Sequence, residues 1–210
     1  MAREESRRLA PAHVGPIAVT SRNLPHWRCD EAVYWITFRL ADSLPQSKLV
    51  ELRAEKESWL LSNPEPWTRA QQLDHEARFG ERIQTWLDAG YGGCALARPE
   101  ARACICGCLL RFNGERLHLH AAVVMPNHVH ALIEPRDNAR LSDLLKGIKG
   151  ASARSANRIL NQAGAFWMEE SYDRIVRNET EYAHFCAYII ENPAKARLAP
   201  DQYWLWPGGK

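Results

Sequence analysis

The chain has 210 residues, of which 46% are hydrophobic and 25% are charged, and its formal net charge is only +2. This composition is typical of a soluble globular protein of one domain, and it excludes a disordered chain, a collagen and a coiled-coil rod. No apolar run approaches the roughly 18 to 20 residues of a membrane span, and the N-terminus lacks the apolar core of a secretory signal. We therefore expect a cytoplasmic protein with no membrane partner.

The predicted elements alternate between strands and helices. Residues 1–30 form an irregular N-terminal arm, and β-branched and aromatic residues indicate a strand at 32–40. Further along the chain we predict helices at about 43–61, 68–89 and 99–112, paired strands over 116–135 with a turn at 125–127, a helix at 141–160, an extended piece at 173–177 and a helix from 178 to about 192. This order predicts an α+β fold, a small antiparallel sheet covered by helices, which a ferredoxin-like core fits.

Two histidines, His128 and His130, lie two residues apart on the second strand of the pair. Their side chains therefore share a face about 7 Å apart, and two imidazoles at that separation can bind one divalent metal ion. A rival pair, His118 and His120, lies on the preceding strand. The turn position puts His120 on the order of 14 Å beyond the level of His130, too far to share an ion, so we interpret the rival pair as structural.

The last helix has an apolar and a polar stripe by helical periodicity. The apolar stripe comprises Tyr182, Phe185, Cys186, Ile189 and Ile190, and the polar stripe comprises Glu181, His184, Tyr188, Glu191 and Asn192. Tyr188 thus lies between His184 and Asn192, one turn away on either side. A tyrosine beside an amide ligand is a candidate nucleophile next to a metal. The alternative is a half-buried tyrosine on a surface helix.

The histidines and the tyrosine suit one chemistry. A metal held by two imidazoles and an amide oxygen can polarise a phosphodiester, and a phenol can attack the phosphorus to form a covalent intermediate. That intermediate keeps the phosphodiester energy, so the break can be resealed, which favours strand transfer over hydrolysis. A metal-stabilised structural protein would not explain a tyrosine on the polar face.

A basic segment precedes the last helix. Between Arg136 and Arg158 there are six basic and two acidic residues, which indicates a surface for phosphates. The candidate contacts on the helix are Lys146, Lys149, Arg154 and Arg158. A solvated helix face is the alternative interpretation.

The three closely spaced cysteines, Cys104, Cys106 and Cys108, lack the usual CxxC spacing of a zinc site. We interpret them as structural.

Several motifs together resemble one family, the REP-associated tyrosine transposases, which are relatives of the small HUH single-strand transposases. They are TFRLADSLP at 37–45, VMPNHVHALIE at 124–134, LKGIKGASA at 145–153, FW at 166–167, YDRIVR at 172–177 and YIIENP at 188–193. The resemblance implies a ferredoxin-like HUH catalytic domain at about 31–200, with a helical insertion at about 46–112 and a C-terminal tail at 201–210. In place of the polar and basic residues expected after FW, this chain has Glu169 and Glu170, which would weaken a phosphate contact nearby.

The resemblance also assigns roles to residues. It implies that His128 and His130 are metal ligands, that Asn192 is the third ligand and that Tyr188 is the single catalytic tyrosine. Arg174 and Arg177 of YDRIVR join the candidate DNA-binding residues, and His184 is a possible accessory residue.

The expected activity is nicking and rejoining of single-stranded DNA at hairpin-forming palindromic repeats. The resemblance implies a divalent ion, Mg or Mn, a 5′-phosphotyrosine intermediate and a free 3′-hydroxyl. We expect a nucleoid-associated monomer or homodimer. The alternative is a domesticated palindrome-binding protein that no longer cuts.

Overall fold

The computed structural model describes residues 18–21, 25–28 and 32–208. Most of the predicted N-terminal arm, residues 1–17, lies outside the described residues. Where the arm is described, the expected irregular structure is wrong, because β1 (Ala18–Ser21) and β2 (Pro25–Arg28) pair as antiparallel strands.

The body is built on one antiparallel sheet. Among the described residues its strands are β3 (Tyr34–Arg39), β4 (Leu117–Val124), β5 (His128–Pro135), β6 (Tyr172–Ile175) and β7 (Trp204–Trp206). They lie in the order β6-β3-β5-β4-β7. The helices are α1 (Gln46–Ser62), α2 (Arg69–His75), α3 (Glu81–Asp88), α4 (Pro99–Phe112), α5 (Leu141–Leu160) and α6 (Glu179–Lys195).

The chain order β3-α4-β4-β5-α5-β6 is a βαββαβ pattern, and its strands lie in the order fourth, first, third, second. This is the ferredoxin-like arrangement, so the predicted α+β fold with a ferredoxin-like core is confirmed. Helix α4 is the first crossover helix of that core, because Ile105 and Leu109 are fully buried against the sheet. The part of the predicted insertion that lies outside the pattern is therefore 46–97.

Helices cover both faces of the sheet. The first face contains Ile36 and Phe38 and packs against α4 and α5. The second face contains Trp35 and Leu132 and packs against α6. This alternation along β3 and β5 follows from the two-residue period of a strand, and it decides which residues can meet at a site.

The insertion has a small core of its own. Its buried residues are Leu52, Trp59 and Phe79, with Trp67, Ile83 and Trp86 partly buried beside them. The predicted helix at 68–89 is confirmed. It begins with a capping box at Thr68 and Gln71, includes a π-helical turn at Glu76–Gly80, and ends before Gly90 at φ 70°. The packing of aromatic side chains in this small core thus stabilises the insertion.

Both ends of α6 bear on the predictions. Asn178 accepts a hydrogen bond from the Glu181 N–H at 2.8 Å, so this side chain caps the helix at the position where it was predicted to begin. The predicted end near Asn192 is wrong, because α6 continues to Lys195 with Pro193 inside. The helix passes the proline because the Ala196 N–H still donates to the Asn192 carbonyl at 3.0 Å.

The C-terminal tail returns to the sheet. β7 pairs with β4, for example Ala122 with Trp206, and it covers the outer edge of that strand. In the part of the chain that the structure describes, no helix combines the length and the apolar character needed to cross a membrane.

Candidate active site

His128 and His130 lie at the start of β5, in the middle of the sheet, and their rings point from the second face. Both side chains are fully buried, and the ring centroids are 4.5 Å apart. The Nε2 atom of each ring is buried and has no hydrogen-bond partner. Buried polar atoms are normally paired, so two unpaired ring nitrogens side by side fit a shared divalent ion.

The Nδ1 atom of each ring forms a hydrogen bond with a neighbouring side chain. Asn127 Oδ1 lies 2.7 Å from His128 Nδ1, and Thr37 Oγ1 lies 2.8 Å from His130 Nδ1. Because an amide oxygen only accepts hydrogen bonds, His128 carries its proton on Nδ1, which leaves the Nε2 lone pair for a metal. His130 also stacks on the Trp35 indole, with centroids 4.9 Å apart.

A third candidate ligand comes from the insertion. Asp88, the last residue of α3, has a carboxylate oxygen 3.8 Å from His128 Nε2, and the ligand atoms of Asp88, His128 and His130 all lie within 4.8 Å of one another. The sequence reasoning missed this residue. The available signal was an acidic side chain in the last turn of a helix, where the helix dipole disfavours negative charge.

Burial sets the charges at this site. It lowers the pKa of His128 to about 3, and it lowers the pKa of His130 well below the ordinary value, to which the His128 charge also contributes. Burial raises the pKa of Asp88 to about 6, an effect that the Asn192 amide and Lys195 reduce. Both imidazoles are therefore neutral, the form in which histidine binds a metal.

Tyr188 and Asn192 face the same site from α6. The Tyr188 ring meets the His130 ring edge to face at 5.4 Å. Burial raises the pKa of Tyr188 and the Asp88 charge adds to this, while the nearby Asn192 amide lowers it. Asn192 is wholly buried beside Asp88 and Tyr188, although neither of its amide atoms has a hydrogen bond of regular geometry. The four residues predicted to be catalytic or metal-binding thus lie together.

The predicted stripes of α6 are wrong in two places. Asn192 is buried rather than exposed, and Ile190 is half exposed rather than part of the apolar stripe. Phe185, Ile189 and Asn192 form the buried face because at 100° per residue positions seven apart differ by only about 20°. The buried polar residue is what brings an amide to the histidines.

The other residues predicted on this side lie further out. His184 is exposed, and its ring packs on Phe185. Arg174 forms an ion pair with Glu181 and lies over the Phe185 ring, while Arg177 is exposed. Neither arginine contacts the histidine pair in this arrangement.

The basic helix α5 packs on the first face, so the sheet lies between it and the histidines. Lys146, Arg154 and Arg158 are exposed to solvent. Lys149 differs, because its Nζ donates to the Met168 and Glu169 carbonyls, each at 2.7 Å, and to Ser171 Oγ at 3.1 Å. Burial lowers the Lys149 pKa to about 8. Contacts from these residues to phosphate stay a prediction.

The rival histidines lie at the far end of β4. His120 occupies a bulge and its ring nitrogens contact Tyr182 Oη at 3.1 Å and Glu134 Oε2 at 3.0 Å. The structure thus agrees with a structural role. Among the cysteines on α4, Cys106 is buried in the core, which is consistent with the predicted packing role.

Four residues of this site lie within a match to one family model. Residues 109–192, which include both histidines, Tyr188 and Asn192, match the model of the family described as "Transposase IS200 like". This match agrees, over these residues, with the resemblance stated from the sequence. No curated protein matches the sequence.

Two solved structures are similar to the chain at low identity. One, a REP-associated tyrosine transposase bound to a REP hairpin, is 14% identical over 83% of this chain and 74% of that chain, with a TM-score of 0.41. The other, a candidate transposase from Deinococcus radiodurans R1, is 17% identical over 82% of this chain and 96% of that chain, with a TM-score of 0.32.

Proposed function

We propose that this protein nicks and rejoins single-stranded DNA through a covalent bond to Tyr188. The observation that carries the proposal is the position of Tyr188 and Asn192 beside His128 and His130, whose Nε2 atoms are buried without partners. A phenol next to a metal-binding pair supports phosphoryl transfer, in which positioning and charge stabilisation supply most of the catalysis.

The residues divide the chemistry between them. His128, His130 and Asn192 would hold Mg or Mn, and the bound ion would polarise the scissile phosphate and stabilise its charge. Tyr188 Oη attacks the phosphorus and loses its proton, and the bond from phosphorus to the 3′ oxygen breaks. The 3′ oxygen takes up a proton and becomes a free hydroxyl, while the 5′ side stays on the tyrosine. Attack by a 3′-hydroxyl on this phosphotyrosine reverses the step and joins two strands.

The substrate proposed from the sequence motifs is a DNA hairpin of the repetitive palindromic type. Arg174 and Arg177 lie next to the first turn of α6, where both contact Glu181, and they would contact DNA on that side of the sheet. The exposed cations of α5, which include Lys146, Arg154 and Arg158, lie on the other face of the sheet. They would contact a part of the hairpin distant from the nick.

The test uses hairpin DNA with single-stranded flanks, labelled in separate reactions at the 3′ or the 5′ end. We expect the 3′ label to move onto the protein on a denaturing gel, and the 5′ label to appear in a shorter free strand, in the presence of Mg or Mn. Tyr188→Phe should bind the hairpin as wild type does but form no adduct. Tyr182→Phe is the matched control on the same helix, because its hydroxyl contacts His120 instead.

Two outcomes would contradict the proposal. An adduct that persists in Tyr188→Phe shows another nucleophile. Hairpin binding by the wild type without any adduct in either metal favours the alternative, a palindrome-binding protein that no longer cuts.

A further inference from the structure

Asp88 is the carboxylate of the site that none of the family-like motifs contains, and its side chain is 25% exposed. One of its oxygens, Oδ1, is buried without a hydrogen-bond partner and lies 3.8 Å from His128 Nε2. An acidic group kept out of water normally has a cation or hydrogen-bond donors beside it. The neighbours here are the two imidazoles and the Asn192 amide, with the Lys195 charge nearby. The pocket therefore holds three metal-ligand groups, and their ligand atoms all lie within 4.8 Å of one another.

Asn127 couples the position of Asp88 to that of His128. Its Oδ1 accepts from His128 Nδ1, and its Nδ2 donates to the carbonyls of Leu87 and Tyr91, each at 3.1 Å. These two carbonyls lie on either side of Asp88 in the sequence. One buried side chain therefore orients the histidine and fixes the backbone that presents the carboxylate.

The turn after α3 is also anchored to the core. Gly92 has φ 87°, and a Cβ there would lie 2.4 Å from the Asp42 carbonyl oxygen, so only glycine allows this approach. The Gly93 N–H donates to Asp42 Oδ2 at 2.8 Å. Asn127 and Asp42 therefore both fix the backbone around Asp88. The direction of the Asp88 carboxylate toward the histidines is thus set by the fold.

The charge balance favours a role for Asp88 in holding the ion. Two imidazoles and the Asn192 amide are neutral, so they leave the full double charge of a divalent ion in a largely buried site. A carboxylate halves that charge and supplies an oxygen ligand, which Mg and Mn prefer. The C-terminal end of α3 adds a negative partial charge, which also favours a cation.

We propose that Asp88 is a direct ligand of the divalent ion, so that the helical insertion contributes part of the metal centre. The inference rests on the metal site of the proposed function. It also explains what the insertion does for that site, because Asp88 of α3 would add a carboxylate oxygen to the two histidines and the Asn192 amide that would hold the ion.

The test measures metal binding without DNA. Metal-free full-length protein is titrated with Mn²⁺, and the free ion is followed by electron paramagnetic resonance. We expect one tight ion per wild-type chain, and a loss of affinity in Asp88→Asn at least as large as the roughly 10- to 100-fold typical of residues that only support a ligand. Glu81→Gln is the matched control, because it removes one charge from the exposed side of the same helix.

Thermal melting separates a ligand from a structural residue. Without metal, Asp88→Asn should melt at or above the wild-type temperature, because the variant no longer keeps a charged, buried Oδ1 atom without a hydrogen bond. Added Mn²⁺ should raise the melting temperature of the wild type and of Glu81→Gln, since a ligand of the folded state stabilises it. The increase should be lost or much reduced in Asp88→Asn.

The possible failures are distinguishable. Equal Mn²⁺ affinity in Asp88→Asn and wild type overturns the role of Asp88 and leaves the cleavage proposal standing. A metal-free Asp88→Asn protein that melts well below wild type also overturns it, because the carboxylate would then stabilise the fold itself. Wild-type protein that binds Mn²⁺ through Asp88 but forms no DNA adduct overturns only the proposed function, and no Mn²⁺ binding at all overturns both.

Discussion

Thr37 shows how a single hydroxyl can support the metal-binding pair. Its Oγ1 lies 2.8 Å from His130 Nδ1, and it lies opposite His130 in the β3–β5 register. The hydroxyl holds the ring in a position where the ligand atoms of His130 and Asp88 lie within 4.8 Å of each other. Residues that orient a metal-binding histidine in this way are part of the metal site in energetic terms.

We predict that Thr37→Val weakens Mn²⁺ binding by about 10- to 100-fold, since valine keeps the shape but cannot hydrogen-bond the ring. The same variant should lose about 1–3 kcal/mol of unfolding free energy, because His130 Nδ1 stays buried without a partner. Calorimetric titration and chemical denaturation check the two effects. Thr85→Val, on the exposed side of α3, should change neither, and unchanged Mn²⁺ affinity in Thr37→Val would contradict the supporting role.

The insertion is the element whose stability should depend on acid. His75 packs among Trp59, Trp67 and Phe79, its Nε2 is buried without a partner, and burial with the nearby Lys56 lowers its pKa from 6.5 to about 4. The folded state therefore binds fewer protons than the unfolded state between these two pH values. Stability is complete above pH 6.5 and falls as the pH is lowered toward 4.

Thermal melting across this pH range tests the prediction. The wild-type melting temperature should fall more steeply with acid than that of His75→Phe, which has no group to protonate at this position. The difference between the two proteins isolates His75 from the other buried histidines. Parallel pH profiles would show that His75 does not destabilise the insertion in acid.

The second element-level prediction concerns the exposed cations of α5. Replacing Lys146, Arg154 and Arg158 together by alanine should weaken binding to unrelated hairpins alike. It should also make the slope of the logarithm of the binding constant against the logarithm of the salt concentration less steep. Each lost phosphate contact to a single strand changes this slope by about 0.7, so three lost contacts change it by up to about 2.

Lys149→Ala gives the contrast on the same helix. Its ammonium already binds the loop at 168–171. Its loss should therefore lower the melting temperature and leave the salt dependence of DNA binding almost unchanged. An unchanged slope in the triple variant would mean that these residues of α5 form a solvated helix face and do not contact DNA.

At the scale of the whole molecule, the C-terminal tail covers one edge of the sheet, because β7 pairs with β4. Trp204 and Trp206 stack at 6.2 Å, and Trp206 Nε1 donates to the Leu119 carbonyl at 3.2 Å. Truncation before Trp204 would leave β4 as an open edge, which is a template for aggregation. We predict a melting temperature lower by roughly 5–10 °C, as a loss of a few kcal/mol gives in a chain of this size, with light scattering to detect association. A truncated protein that melts like the full chain would contradict the role of β7.

The sequence by itself determined the features that depend on neighbours along the chain. The strand containing His128 and His130, the spacing of Tyr188 and Asn192, the N-cap at Asn178 and the helix at 141–160 all follow from short-range periodicity and capping. The ferredoxin-like order could be inferred because so few arrangements accommodate that series of strands and helices.

Only the tertiary structure decided which side chains meet. Asp88 lies 40 positions before His128, and no local pattern links an insertion helix to a central strand. Asn192 is buried because of the angle at which α6 lies on the sheet, and a helical period alone does not fix that angle. The alternation of β3 and β5 puts α5 on one face and the histidines on the other. These contacts join residues far apart in the chain. They depend on how the helices and strands pack on one another, whereas the local sequence decides only which segments are helices and which are strands.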